Sequence, residues 1–373
     1  MTDPTQPILS VQDLHTYYHQ DEGIVRAVDG ASFDVYPGKT LGIVGESGCG
    51  KSVTARSILR IVERGGRIES GTINLRSAPH GANGLHTPTG SQQVDQIDLT
   101  RLDANGRQMR SIRGGEIALI FQEPMTSLSQ FYTVGNQIIE AIRLHSTISK
   151  QEARDRAIEL LRLVGIPRPE SRIDDYSFQL SGGLRQRVMI AMALSSDPRI
   201  LIADEPTTAL DVTTQAQILD LLRQLQAEKG LSIILITHDM GVIAEMADDV
   251  VVMYLGRVVE RGSVEDIFHA PQHPYTKALL QSIPSILAEP RTKLATIEGS
   301  IPHPYDRPPG CPFHPRCPAF MAGTCDVHEP QLQPLSTATA RVPVADEPIP
   351  QDPDKQLVSC FLHHPPAGGQ PAA

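Results

Sequence analysis

One short stretch limits the folds open to this chain of 373 residues: Gly45-Glu-Ser-Gly-Cys-Gly-Lys51-Ser52 fits the pattern G-x-x-x-x-G-K-[ST]. The apolar run at 40–44 predicts a buried strand before it, and residues from about 52 to 62 predict a helix after it. Glycines at such a turn let backbone N–H groups approach a phosphate, the lysine adds positive charge, and the hydroxyl can bind Mg²⁺. We therefore predict a nucleotide-binding loop formed by Gly45, Glu46, Ser47, Gly48, Cys49, Gly50, Lys51 and Ser52.

Two further segments suit phosphate chemistry. An apolar run that ends in Asp204 and Glu205 predicts a strand whose last residues could complete a Mg²⁺ shell and position or deprotonate a water molecule. The turn Ser181-Gly182-Gly183 opens a predicted helix, whose free N–H groups and dipole favour an anion. Alone, such segments are more often a solvated strand end and an ordinary helix cap. They support phosphate chemistry only because the same chain also contains the predicted nucleotide-binding loop.

The wider pattern predicts the fold class. Apolar runs recur at 117–121, 199–203, 232–237 and 249–253 and alternate with helical patterns, which predicts a parallel α/β fold with both sheet faces covered. Residues from about 77 to 98 are polar and lack apolar periodicity, so we expect a surface insertion there. Of the 30 prolines, 20 follow position 270. We therefore expect a main domain over 8–270 and a turn-rich extension over 271–373.

Composition argues against several classes of protein. The net charge of −10, from 33 basic and 43 acidic residues, disfavours a broad cationic surface, so we expect no nucleic-acid partner. With 8 Phe, 8 Tyr and no Trp, a base-stacking platform or an aromatic membrane belt finds little support. The sequence has no apolar run of 18 residues and does not start like a signal peptide. We expect a protein that neither crosses a membrane nor is exported.

The order of these segments resembles that of the ATP-binding cassette ATPases. Gln122 stands where that family has its glutamine loop, and Leu180-Ser181-Gly182-Gly183 matches its signature. Ala209-Leu210-Asp211 and Ile236-Thr237-His238 then follow as the D-loop and the histidine switch. The resemblance implies a P-loop NTPase of class α/β that binds ATP and Mg²⁺. Its parts would be a RecA-like core, a helical subdomain at about 125–195 and an antiparallel β subdomain.

The resemblance also implies roles for single residues. Glu205 would be the catalytic base, His238 would contact the γ-phosphate, and the magnesium ligands would be Ser52, Gln122 and Asp204. The adenine-stacking aromatic is assigned to Tyr18, with Tyr17 as the alternative, because side chains alternate in direction along a strand.

The remaining implied roles need a second cassette. Ser181, Gly182 and Gly183 would bind ATP held by the opposite subunit, and Asp211 would lie at the same interface. Because the chain has one nucleotide-binding loop and one signature, the resemblance implies a dimer of cassettes, homomeric or with a related partner.

Two stretches make the resemblance more specific: Phe121-Gln-Glu-Pro-Met-Thr-Ser-Leu128 and His273-Pro-Tyr-Thr-Lys-Ala-Leu279. They resemble the ATPases of bacterial oligopeptide and dipeptide importers, specifically the first, D-type, of their two ATP-binding subunits. The implied partners are a second ATPase subunit, which favours a heterodimer, two integral membrane permeases and a periplasmic or extracellular solute-binding protein. The implied location is the cytoplasmic face of the bacterial inner membrane.

Other functions stay open beside peptide import. The same ATPase role could serve nickel or oligosaccharide import. From other classes, the chain could be a soluble cassette ATPase that acts on nucleic acid or ribosomes, or an iron–sulfur redox protein that ATP regulates.

Four of the five cysteines, Cys311, Cys317, Cys325 and Cys360, lie in the last 63 residues. Their intervals lack the C-x₂₋₄-C spacing of structural zinc sites, so zinc is less favoured than another metal centre. Four thiolates can also hold an iron–sulfur cluster, and the spacing alone leaves free thiols equally open. The resemblance implies a [4Fe-4S] cluster on these four residues. His314, His363 and His364 could act as substitute ligands, but solvated side chains are the favoured interpretation for them.

Overall fold

The computed structural model describes residues 5–76, 96–122, 127–208, 210–283, 297–335 and 356–365. Its strands, numbered along the chain, are β1 (Leu9–Gln20), β2 (Gly23–Val35), β3 (Thr40–Val44), β4 (Gly66–Arg76), β5 (Gln96–Asp98), β6 (Ile117–Ile120), β7 (Ile200–Asp204), β8 (Ser232–Ile236), β9 (Asp249–Tyr254), β10 (Arg257–Ser263), β11 (Gln333–Pro334) and β12 (Leu357–Val358). Its α-helices are α1 (Lys51–Ile58), α2 (Arg107–Gly115), α3 (Val134–His145), α4 (Lys150–Leu163), α5 (Pro169–Arg172), α6 (Gly182–Ala193), α7 (Val212–Lys229), α8 (Met240–Met246), α9 (Val264–His269) and α10 (Pro274–Gln281).

A parallel sheet forms the centre of the molecule. Its strands run in the order β9-β3-β8-β7-β6, and β3, β7 and β8 are buried along their whole length. Strands buried on both faces must be apolar throughout, which is why these segments appear in the sequence as continuous apolar runs. The predicted parallel α/β class is confirmed. The first helix, α1, is shorter than predicted and ends at Ile58.

An antiparallel sheet with the order β2-β1-β4-β5 lies beside the parallel one. Long strands β1 and β2 pair along their length, with register shifts between Val11 and Leu14, Leu14 and His15, and Thr16 and Tyr17. Of the predicted insertion at 77–98, residues 77–95 lie outside the described residues, and 96–98 form the edge strand β5.

Helices α3 to α6 lie between strands β6 and β7 in the chain. The apolar face of α3 buries Ile138, Ile139 and Ile142 in the same core as Leu160 and Leu161 of α4. A capping box fixes the start of α4: the Ser149 hydroxyl accepts the Glu152 N–H, and the Glu152 carboxylate accepts the Ser149 N–H. These helices place the Ser181 turn at the N-terminus of α6.

Described residues after position 270, among them Tyr275 and Phe313, pack into the main core. Strand β12 pairs antiparallel with β10 and with β11, so the extension continues the central sheet at the β10 edge. The buried carboxylate of Glu260 in β10 accepts the N–H groups of Gln272 and His273 at 2.7 and 2.9 Å and the Gln356 side-chain amide at 3.0 Å. The C-terminal segments are therefore hydrogen-bonded into the cassette sheet itself.

No helix among the described segments combines the length and the apolar character needed to cross a membrane.

Candidate nucleotide site

The nucleotide-binding loop connects β3 to α1 as predicted, and its shape requires glycine. Gly45 and Gly50 have φ of 151° and 103°, and a Cβ atom on either would lie 2.2 Å from a backbone oxygen, that of Met253 or of Ala27. No other residue fits so close to neighbouring backbone. Inside the loop, Lys51 Nζ donates to the carbonyl oxygens of Gly45 and Glu46 at 2.7 and 3.1 Å. The loop thus holds its own lysine.

The acidic strand ends beside this loop. Asp204 is the last residue of β7, and its Oδ1 accepts the Ser52 hydroxyl at 3.1 Å across 152 positions of sequence. Burial raises the pKa of the Asp204 carboxyl, and the Ser52 hydrogen bond opposes that rise. The two side chains present hard oxygen atoms, the donors that Mg²⁺ prefers. The residues present therefore fit the predicted metal.

Glu205 collects the other predicted catalytic side chains. Its Oε2 accepts Gln122 Nε2 at 3.1 Å and the Thr208 hydroxyl at 2.9 Å, and its Oε1 lies 3.3 Å from His238 Nδ1. Burial acts to raise the Glu205 pKa, but the hydrogen bonds from Thr208 and His238 outweigh it and the pKa is lowered. The carboxylate is therefore charged and oriented.

The backbone at Glu205 is unusual. Its φ of 48° lies in the left-handed region, and its N–H donates to Ile236 at the end of β8 at 2.8 Å. Such a conformation costs about 1–3 kcal/mol for a residue with a side chain. The neighbouring strand end holds it in place, at the edge of the sheet where α/β proteins place their ligands.

The predicted signature lies away from this cluster. Ser181 caps α6 by accepting the Leu184 N–H at 3.4 Å, and Ser181 and Gly182 are exposed. A Cβ on Gly183 would lie 2.6 Å from Thr214 Cγ2, and Asp211 caps α7 through the Thr214 N–H at 2.9 Å. The chain thus brings signature and D-loop together but joins neither to its own nucleotide-binding loop. Ala209 lies outside the described residues.

A cleft of about 750 Å³ opens over the nucleotide-binding loop. Ser47, Gly48, Gly50, Lys51, Ser52, Gln122 and Glu205 line it together with Tyr17. Tyr18 lies outside the cleft wall, where its hydroxyl donates to Glu63 at 2.9 Å and its ring packs against Gly66. Of the two tyrosines, Tyr17 therefore borders the cleft.

One buried carboxylate, which sequence reasoning missed, organises this wall. Asp29, 3% exposed, accepts the Tyr17 hydroxyl at 2.5 Å and is paired with Arg257 at 3.4 Å and Arg307 at 2.5 Å. Burial would raise the Asp29 pKa, but the bond from Tyr17 and the two arginines lower it to about 2. Asp29 follows a buried valine in β2 and belongs to no recognisable sequence motif.

The extension also reaches the nucleotide-binding loop. The Tyr275 hydroxyl accepts the Glu46 N–H at 2.9 Å, and Arg316 donates to both carboxylate oxygens of Glu46 at 2.7 and 3.1 Å. Tyr275, Tyr254 and Phe313 form a buried aromatic cluster with ring centroids 4.7 to 5.3 Å apart. Aromatic contacts and a two-pronged ion pair thus connect the C-terminal residues to Glu46.

The prediction of an iron–sulfur cluster is wrong, and so is the weaker reading of zinc. The described residues include Cys311, Cys317, Cys325 and Cys360, and they contain no group of three or more His, Cys, Asp or Glu side chains that could hold a metal ion.

The reason for the error is burial. Cys311 and Cys325 lie in the main apolar core, and burial raises the pKa of the Cys311 thiol to about 11 and that of Cys360 to about 12. Neutral thiols pack as small apolar side chains, so the core accounts for these cysteines without a metal. His314 and His363 instead contact the carbonyl oxygens of Cys311 and Gln272.

Comparison with known proteins agrees with this geometry. The ABC transporter family model matches residues 28–208, and the family model for the C-terminal region of oligopeptide/dipeptide transporters matches residues 259–325. The chain is 46% identical to the dipeptide transport ATP-binding protein DppD of Haemophilus influenzae, over 88% of this chain and 93% of that protein. It is 48% identical to the oligopeptide transport ATP-binding protein AppD of Bacillus subtilis, over 87% and 92%.

A solved structure gives the same fold. A dimeric ATP-binding cassette in a post-hydrolysis state, bound to ADP and Pi, superposes with a TM-score of 0.57 at 26% identity and covers 69% of this chain and 98% of that one. The ATP-binding cassette fold predicted from the motifs is therefore confirmed. The chain belongs to the ABC transporter ATPases, in the group that carries the oligopeptide/dipeptide transporter C-terminal region.

Proposed function

We propose that this chain hydrolyses ATP to drive the import of dipeptides or oligopeptides through a membrane transporter. The observation that carries the proposal is the meeting of Gln122, Glu205 and His238 beside the nucleotide-binding loop, although 116 positions of sequence separate the first from the last. The names of the relatives support the peptide substrate.

Phosphate binding is assigned to the loop. Lys51, held by two loop carbonyls, places a positive charge against the outer phosphates, and loop N–H groups bind their oxygens. Ser52, Asp204 and Gln122 are the proposed ligands of Mg²⁺. The ion supplies charge neutralisation for phosphoryl transfer.

Water activation is assigned to Glu205. A charged carboxylate can accept a proton from the attacking water, and Thr208 holds it while leaving its second oxygen near His238. His238 then contacts the γ-phosphate, and Gln122 orients the water. Tyr17, on the cleft wall, is the proposed stacking partner of the adenine.

A second cassette completes each site. Because Ser181, Gly182 and Gly183 lie outside the cleft of their own chain, we assign them to ATP held by the facing subunit. The proposed partner is a related ATPase subunit, so the working unit is a heterodimer, with Asp211 at its interface. ATP joins the two halves, and hydrolysis separates them.

The surface near α3 suits the membrane subunits. Phe131, Tyr132, Leu144 and Phe178 are 88%, 61%, 75% and 61% exposed. Large apolar side chains this exposed favour an interaction site. Through two permeases docked there, the chain would sit on the cytoplasmic face of the membrane, and a solute-binding protein would deliver peptide from the other side. As part of this proposal we keep the predicted division into an ATPase unit over 8–270 and a transporter-specific extension over 271–373.

The catalytic assignment is tested with Glu205→Gln. We expect ATP turnover to be abolished while ATP binding persists and an ATP-bound dimer accumulates in the presence of the partner subunit, read by phosphate release and size-exclusion chromatography. Glu159→Gln, on the exposed face of α4, is the matched control and keeps normal turnover. Normal ATP turnover in Glu205→Gln would show that Glu205 is not the catalytic base.

The substrate is tested in proteoliposomes that contain both ATPases and both permeases. We expect a binding protein loaded with dipeptide to stimulate ATP hydrolysis, and one loaded with nickel or an oligosaccharide to leave it unchanged. Stimulation by nickel or sugar instead of peptide would overturn the substrate class while leaving the ATPase role intact.

A further inference from the structure

The cleft over the nucleotide-binding loop has a second wall that belongs to the extension. His303, Pro304, Tyr305, Arg307, Pro308 and Pro309 line the same cavity as Lys51 and Tyr17. The volume of about 750 Å³ is that of an ordinary ligand pocket. Segment 303–310 is therefore part of the site, although more than 250 positions separate it from the loop.

Specific contacts fix this segment along the β1–β2 hairpin. The Tyr305 hydroxyl donates to the Gln20 side chain at the hairpin tip, and the Tyr305 ring lies 3.4 Å from the place where a Cβ on Gly23 would be. Farther along, Arg307 pairs with Asp29 at 2.5 Å. Because Asp29 also accepts the Tyr17 hydroxyl, the two walls of the cleft share one buried anchor.

The chemistry of the second wall suits a nucleobase. The rings of His303 and Tyr305 stack with centroids 5.3 Å apart and an interplanar angle of 26°. His303 is exposed, Tyr305 is half-buried and both line the cleft, so the cleft is bordered by aromatic side chains on this side. The faces of aromatic and imidazole rings bind any nucleobase by stacking. Arg307, the cation of this segment, is already paired with Asp29, which makes the segment less suited to the phosphates than the loop around Lys51.

We propose that segment 303–310 of the extension binds the nucleoside half of ATP in its own chain, with His303 and Tyr305 facing the nucleobase across the cleft from Tyr17. This inference rests on the proposed ATP site. It assigns the extension a direct part in nucleotide binding, so that ATP ties the C-terminal region to the cassette.

The test compares ATP with inorganic tripolyphosphate, which has the phosphates but no nucleoside. Each is titrated by calorimetry into the full chain and into His303→Ala, Tyr305→Ala and Lys51→Ala. We expect His303→Ala and Tyr305→Ala to weaken ATP binding between about five- and a hundredfold and to leave tripolyphosphate binding unchanged, because only base stacking is lost. Lys51→Ala weakens both.

The outcomes separate the two ideas. Unchanged ATP affinity in His303→Ala, or an equal loss for ATP and tripolyphosphate, overturns the proposal. If Lys51→Ala leaves both affinities unchanged, the phosphate site itself is misassigned. His303→Ala keeps the measurement valid should Tyr305→Ala unfold, because His303 is exposed. The matched control is Phe320→Ala, which should bind ATP normally. Phe320 is a 43% exposed aromatic of the extension that packs at a tilt against His314 and does not line the cleft.

Discussion

The ion pair between Arg316 and Glu46 gives a quantitative prediction about how the extension stabilises the nucleotide-binding loop. Arg316 donates to both oxygens of Glu46, and its side chain is only 4% exposed. Arg316→Met keeps much of the apolar stem but leaves the Glu46 carboxylate without its partner. Removing one partner from a buried pair costs about 3–5 kcal/mol.

The expected cost here is at the low end or below. The Glu46 side chain is 23% exposed, so water recovers part of its solvation once Arg316 is gone. We therefore expect Arg316→Met to lower the free energy of unfolding by about 2–3 kcal/mol. With Glu46→Gln in a double-mutant cycle, the coupling energy should be about 1–3 kcal/mol.

Urea unfolding followed by circular dichroism measures these changes in the single and double variants. Arg154→Met is the matched control, because Arg154 makes a similar pair with Asp174 at 2.7 Å on the surface and should contribute less than about 1 kcal/mol. We also expect weaker ATP binding in Arg316→Met, since the loop is less ordered before ATP arrives. If the two single variants add within about 0.5 kcal/mol, the pair does not brace the loop and the reasoning fails.

Three further predictions concern ionisation and aromatic contacts. Burial lowers the pKa of His273 from 6.5 to about 3, so its neutral form stabilises the fold and that stability is lost as the pH falls from about 6.5 towards 3. At pH 5 the free energy of unfolding should be about 2 kcal/mol lower than at pH 8. His273→Asn keeps a helix-capping side chain and should flatten this pH dependence in urea titrations. His269→Asn, on the surface, should leave the pH dependence unchanged. Tyr17→Ala should weaken ATP binding measured by calorimetry, and Tyr18→Ala should leave it nearly unchanged. Weaker ATP binding in Tyr18→Ala but not in Tyr17→Ala would show that Tyr18 is the adenine-stacking residue. The Cys311 thiol should resist iodoacetamide at pH 8 in the native chain and react on unfolding, as mass spectrometry would show, because burial raises its pKa to about 11.

Local sequence was enough to predict the strand, turn and helix around Lys51, because a buried strand, a glycine turn and a helix follow one another without long-range help. The convergence of Asp204 and His238 on the loop followed from the parallel sheet, whose strand ends meet at one edge. The choice between Tyr17 and Tyr18 could not be made from alternation. The register shift between Thr16 and Tyr17 changes which side chain faces the cleft.

The extension was the least predictable part. Arg307 and Arg316 reach partners at positions 29 and 46, and no local pattern in a proline-rich segment encodes contacts over such distances. The iron–sulfur prediction from the cysteines failed for a related reason. Their spacing says nothing of burial, and it is burial with Phe313 that makes Cys311 a core residue.

The pairing of β12 with β10 has a consequence for any shortened form of the chain. Two residues of each strand, Glu260 with Val358 and Arg261 with Leu357, cover the hydrogen-bonding groups of β10. Removing the C-terminal residues would leave an open strand edge beside a buried apolar interior, and such edges recruit strands from other molecules. A cassette trimmed at 270 would therefore tend to self-associate, and its solubility would depend on the very residues that lie farthest from the loop in the sequence.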